Sequence, residues 1–159
     1  MGFFRLVLVL LPWLAVGRAA WAETMGPSSF AVSYDVELRG VHVAKLSRSL
    51  KLTPDGGYEF ESVLRSEGMA ALIQPVTERE VSRGDWLAGT PRPSHYEYEK
   101  QSGKRRRDTQ VDFDWLGGKV LGKDGREAWQ TKLPSGAVDK LAYQLLLMRD
   151  LAQDAPLEY

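Results

Sequence analysis

Two pairs of acidic residues are the first places where this chain could do chemistry. Asp112 and Asp114, and likewise Glu97 and Glu99, stand two positions apart, which in a β-strand puts both side chains on one face. Neighbouring carboxylates can share a proton or hold a cation. No base, nucleophile and orienting group can be named beside either pair, so no catalytic site is expected and the protein reads as a non-enzyme. The plainer reading is the solvated side of a half-exposed sheet. The two histidines, His42 and His95, have no carboxylate at a spacing that suggests a shared metal. The chain contains no Cys, which removes thiolate metal sites, Cys nucleophiles and disulfides. Gly56-Gly57 and Gly117-Gly118 are turn residues rather than a phosphate loop. No metal and no cofactor is expected.

Two further features bear on binding. Lys104-Arg105-Arg106-Arg107 is the densest charge run, suited to an anionic membrane surface or to a solvated hairpin tip, and the tip is the favoured reading. The aromatics Tyr34, Phe60, Tyr96, Tyr98, Phe113 and Trp115 fall on the expected inner faces of strands. They are the candidate ligand-binding residues if they enclose an apolar pocket, and plain core if they fill the space.

The elements that must position these residues follow from period-two alternation. Phe30–Arg39 carries Phe30, Val32, Tyr34, Val36 and Leu38 on one face. Val41–Leu52 follows a turn at Gly40 and places Leu46, Leu50 and Leu52 together, with Arg48 interrupting. Thr53-Pro54-Asp55-Gly56-Gly57 is a turn by its Pro and Gly content, and Tyr58–Ser66 returns with Tyr58, Phe60 and Leu64 inward. Gly68–Ile73 breaks the alternation as a short apolar link of about one helical turn, a candidate pocket rim. Val76–Arg83 is so charged that it reads as an edge strand. Pro91 and Pro93 mark a loop, His95–Lys100 and Thr109–Trp115 are strands, and Lys119–Leu121 and Glu127–Leu133 are shorter ones separated by a turn over Gly122–Gly125. Val138, Leu141, Ala142, Leu145, Met148 and Ala152 then recur at helical spacing. Ser135 or Asp139 is placed to cap that helix, and Pro156 to end it. The expected fold is mainly β: a curved antiparallel sheet or partly open β-barrel with one C-terminal amphipathic helix from about Val138 to Ala152.

The N-terminus reads as a cleaved signal peptide over residues 1–22. Arg5 gives the positive region, Leu6–Val16 an apolar run, and Ala20-Trp21-Ala22 a cleavage pattern before Glu23. That run is too short for a bilayer core, which needs about 20 residues. The mature chain, residues 23–159, suits a single domain in a bacterial periplasm. The chain has 21 basic and 21 acidic residues, and loss of Arg5 and Arg18 leaves a net charge of −2. That balance argues against nucleic acid as a partner.

The order of segments resembles an exported bacterial family, domain of unknown function 3108. The resemblance rests on Tyr34-Asp35-Val36 followed by Gly40, on Pro93-Ser94-His95-Tyr96-Glu97-Tyr98, on Val111-Asp112-Phe113-Asp114-Trp115, and on Val138-Asp139-Lys140-Leu141-Ala142-Tyr143. It spans Phe30 to the C-terminus and implies an exported, β-rich protein with no established catalytic residues. The family is expected to continue with further strands beyond the helix. On that expectation the chain lacks C-terminal strands, and Leu157-Glu158-Tyr159 would begin the next one.

The function expected is a periplasmic, non-enzymatic protein with an apolar pocket for a lipid-like ligand in envelope maintenance. The alternatives are an interaction module that docks a partner through a sheet edge or through the charged Val76–Arg83 strand, and a hydrolase whose site the sequence does not display.

Overall fold

The structure is a computed structural model that describes residues 27–152. The expected signal peptide over residues 1–22, the helix stop at Pro156 and the strand start at Leu157-Glu158-Tyr159 lie outside the described residues. Eight strands run in chain order as one antiparallel meander: β1 (Phe30–Leu38), β2 (Val41–Leu52), β3 (Gly57–Ser66), β4 (Val76–Leu87), β5 (Thr90–Ser102), β6 (Arg105–Asp114), β7 (Lys119–Asp124) and β8 (Glu127–Lys132). The sheet is open and does not close into a barrel. A short helix α1 (Gly68–Ile73) links β3 to β4, and α2 (Lys140–Ala152) follows β8 and lies across β3, β4 and β5.

Register turns the alternation into two faces. Phe30, Leu50, Phe60, Ser82, Tyr96, Val111, Gly122 and Trp129 stand opposite one another in a single row across all eight strands. Leu50, Phe60 and Tyr96 of this row join Tyr58 and, from the helix, Leu141 and Leu145 to form the core, with Phe30, Trp86, Val111 and Phe113 packed around it. Burying a side chain of this size contributes about 1.5–3 kcal/mol. The helix therefore covers only one end of the inner face. Towards the other end the row Tyr34–Leu46–Leu64–Glu78–Lys100–Arg107 is increasingly polar, and Tyr34 is 52% exposed.

Several expectations are corrected here. Val76–Arg83 is no edge strand: β4 pairs with β3 on one side and β5 on the other, and Val81 is fully buried. Among the described residues the unpaired edges belong to β1 and β8. Pro91 and Pro93 lie inside β5, not in a loop. Pairing of β5 with β6 starts only at His95, so both prolines fall where that side of β5 asks for no N–H donor. Opposite Pro93, a Cβ on Gly84 would collide with the Arg92 carbonyl, so this close approach requires glycine. Gly122 is a strand residue and not part of a turn, because the Trp129 ring lies over its α-carbon and leaves no room for a side chain. Met148 does not face the sheet: it is 39% exposed, and Leu141, Ala142 and Leu145 make the contact instead.

Candidate functional site

Asp139 is the residue on which the helix turns. Its Oδ1 accepts hydrogen bonds from the Leu141 and Ala142 backbone N–H groups at 2.8 Å each, which is the N-cap geometry. Its Oδ2 accepts the Ser82 hydroxyl at 2.6 Å, and Ser82 is bonded in turn to the Tyr58 hydroxyl at 3.0 Å. Burial raises the pKa of Asp139 above the usual carboxylate value, against the hydrogen bonds from Ser82 and the helix start, which lower it. The adjacent Lys140 donates to Glu80 Oε1 at 2.7 Å, and Tyr96 donates to Glu80 Oε2 at 2.7 Å. Burial, first, and the contact with Glu80 push the Tyr96 phenol upward, and burial does the same to Tyr58.

A serine bonded to an aspartate invites comparison with a nucleophile. Ser82 is fully buried beneath the helix, and no histidine reaches it to act as base. The arrangement is a latch that satisfies the inward polar residues of β4 while fixing the start of α2. A second latch holds the other end of the helix: Arg149 donates to the Gly89 carbonyl at 3.2 Å and to Thr90 Oγ1 at 2.9 Å.

Between the second latch and the sheet end lies an open cleft of about 400 Å³. Its apolar walls include Leu87, Pro91, Trp115, Ala137, Val138 and Leu146, and Arg92 and Arg149 contribute its charge. Trp115 is held rigidly by a 2.6 Å bond from its Nε1 to the Pro93 carbonyl and by stacking on Phe113. Arg92 lies over the Trp115 ring at 4.7 Å from its centroid. Arg149 is committed to Asp150 and the β4–β5 turn, whereas Arg92 has no anionic partner among the described residues. Among the described residues the cleft thus offers an apolar wall beside a cation that meets no anion.

The six aromatics singled out from sequence do not gather around one space. Phe60 and Tyr96 fill the core, Tyr98 and Phe113 pack on its flanks, and Tyr34 lies exposed on β1, the edge strand. Trp115 alone of the six lines the cleft. That Arg92, Leu87 and Leu146 share the cleft with it is not legible in the sequence, because only the folded chain brings the β4–β5 turn, the end of β6 and the helix together.

The carboxylate pairs also part company. Asp112 bonds His95 Nδ1 at 2.6 Å while Asp114 accepts the Gly117 N–H at 2.7 Å and closes a turn. Glu97 bonds His95 Nε2 at 2.9 Å and lies near Arg79 and Arg83, while Glu99 pairs with Arg106. Neither pair converges on a shared proton. Among the described residues no group of three or more His, Asp or Glu is arranged to hold a metal.

An open antiparallel meander, with one capped helix latched across part of its inner face, defines the class of protein. The chain belongs to the family described as protein of unknown function (DUF3108), whose model matches residues 29–157. Comparison with curated proteins finds no match, and comparison with solved structures finds none.

Proposed function

We propose that this is a non-enzymatic protein of the bacterial periplasm, exported through residues 1–22, that binds a lipid-like ligand with an anionic head. The observation that carries the reading is the cleft beside α2, where apolar walls surround Trp115 and an Arg92 that has no anionic partner among the described residues. Apolar pockets with one or two placed polar groups are the usual form of small-molecule sites. A chain of methylenes would lie along Leu87, Val138 and Leu146, and a carboxylate or phosphate would meet the Arg92 guanidinium, which suits bidentate recognition.

The experiment is a titration with dodecanoic acid and with dodecanol, read by melting temperature and by tryptophan emission, with Trp115→Phe to assign the optical signal. The acid is expected to raise the melting temperature and the alcohol to do so less. Arg92→Ala should erase that difference, and Ala137→Phe, which fills the cleft, should abolish both effects. Absence of any shift, or undiminished binding by the Ala137→Phe protein, refutes the site.

A second reading rests on the edges. All six residues of β8 are exposed, and its outer side is unpaired among the described residues, which suits strand addition by a partner chain. Replacing Gln130 by Pro should then block partner capture without altering ligand-induced shifts.

A further inference from the structure

The end of the sheet remote from the cleft brings together three chain segments that are far apart in sequence. The β1–β2 turn presents Leu38, Arg39 and Val41. The helix α1 presents Met69, Leu72 and Ile73, the last two 79% and 80% exposed. The β5–β6 turn presents Lys104 and Arg105. These segments are tied to one another. Glu67, at the start of α1, bonds the Val43 carbonyl through its N–H at 2.9 Å and His42 Nε2 through its side chain at 2.8 Å. On the other side, the Gly103 N–H bonds the Pro75 carbonyl at 3.0 Å, and Gln74 bonds Ser102 at 3.1 Å. The apolar helix is thereby held beside the basic tip as one surface.

Five exposed apolar side chains, Leu38, Val41, Met69, Leu72 and Ile73, on neighbouring segments are more than isolated surface residues require. Helix α1 has no buried residue at all, so its apolar content is not spent on this protein's own core. The charge around it is mixed, and its basic part is concentrated at the β5–β6 tip in Lys104 and Arg105. Arg106 and Arg107 are neutralised by Glu99 and Asp124, but Arg39, Lys104, Arg105 and Arg126 have no ion-pair partner among the described residues. The acids without such a partner at this end are Glu37, Asp108 and Glu127, and Asp35 and Glu67 meet only His42 among the described residues.

We infer that this end of the sheet docks on an anionic phospholipid bilayer, with α1 seated among the headgroups and Lys104 and Arg105 against lipid phosphates. An exposed apolar stretch flanked by cations is the combination that holds a protein at a membrane interface, where burial and electrostatic attraction add. Free anions would need only the basic half. The inference stands apart from the cleft, which opens at the opposite end.

The test is co-sedimentation of the purified protein with vesicles of phosphatidylcholine alone and with about one-third phosphatidylglycerol. Binding is expected only to the anionic vesicles and should be released by 0.5 M salt, a concentration at which the screening length falls to about 4 Å. Lys104→Gln with Arg105→Gln should weaken partition about 25-fold, at about fivefold per charge. Leu72→Ser with Ile73→Ser should weaken it comparably. Because all four side chains are exposed, the variants should melt as the parent does. Lys119→Gln with Lys132→Gln removes the same charge from the far end and should leave partition unchanged. Equal binding to both vesicle types, no binding, or equal loss from the far-end variant overturns the inference.

Discussion

The two faces of the sheet bury their strands by opposite chemistry. On the inner face Phe60, Leu50 and Tyr96 are covered by a helix, and the polar residues there are satisfied by that helix through Asp139 and Lys140. On the outer face no element of the described chain covers the strands. A chain of charges crosses five of them instead, from Lys51 to Glu59 to Arg83 to Glu97 to His95 to Asp112, while Arg79 joins Glu61 to Glu97. Val81 sits amid this network, flanked on its own strand by Arg79 and Arg83 and opposite Glu61 and Glu97, and it is completely excluded from solvent. Arginine stems can cover apolar surface while their heads stay wet. A charge-rich strand is therefore compatible with a central place in a sheet, provided that its charges meet opposite charges across the register.

The contrast predicts that damage to the inner face costs more than damage to the outer. Leu145 is fully buried against the core, so Leu145→Ala should lower stability by about 2–5 kcal/mol. Met148→Ala, on the exposed side of the same helix, should cost no more than about 0.5 kcal/mol. Urea denaturation of the two variants checks this. Similar losses from both would mean that the helix is not seated as described.

The latch is the next largest effect. Asp139→Ala removes the cap of α2 and leaves the Ser82 hydroxyl without its acceptor, a loss of about 2–4 kcal/mol from the two causes together. Asp139→Asn keeps an N-cap of about equal quality and removes a charge whose burial is unfavourable, so it should recover most of the loss. Because burial raises this carboxyl's pKa in the folded state, the parent should gain stability relative to Asp139→Asn as the pH falls through that raised value. Melting curves of the three proteins across the acid range test the sign. An Asn variant as damaged as the Ala variant would show that the negative charge itself, not the hydrogen bonds, holds the helix.

What the sequence discloses follows the same division. Alternation over Phe30–Arg39 and Tyr58–Ser66, and the change to helical spacing after Asp139, are local patterns, and each names a real element. The cap residue is also legible, since Asp at that position is chemically suited to the role. The place of β4 is not, because its charges read as solvated until register sets Glu59, Glu61 and Glu97 beside Arg79 and Arg83. Gly122 likewise reads as a turn until Trp129 is placed opposite it. For the site, Trp115 is visible as an inward aromatic. Whether aromatics fill a space or border one depends on how closely the helix sits on the sheet, and alternation carries no such distance. The pairing of Arg92 with Trp115 is invisible because the ring lies 23 positions away in the chain.

The smallest effect lies in the outer network and is read by pH. Burial of the His95 ring works against its charged form, but hydrogen bonds to Asp112 and Glu97 outweigh it, so its pKa is raised above the ordinary 6.5. The folded protein then keeps a proton that the unfolded chain has released. That contribution to stability is complete below pH 6.5 and is lost as the pH climbs through the folded value. Glu97 behaves in the opposite sense. Its bond to His95, with the nearby arginines, holds its pKa below the ordinary 4.5 against some cost of burial, so its contribution is complete above that pH and lost on acidification through the folded value. The network should therefore be at full strength between pH 4.5 and 6.5 and weaken on either side. His95→Gln can keep one hydrogen bond and cannot titrate, so its melting temperature should fall less than the parent's between pH 6.5 and 8. The difference should be small, since exposed ion pairs are worth about 0–1 kcal/mol. Measured in low salt and again in 0.5 M salt, the difference should shrink as screening grows. Parallel profiles for the two proteins at low salt would mean that His95 stays neutral between its two carboxylates, and that the outer face is held by the arginine bridges around Val81 alone.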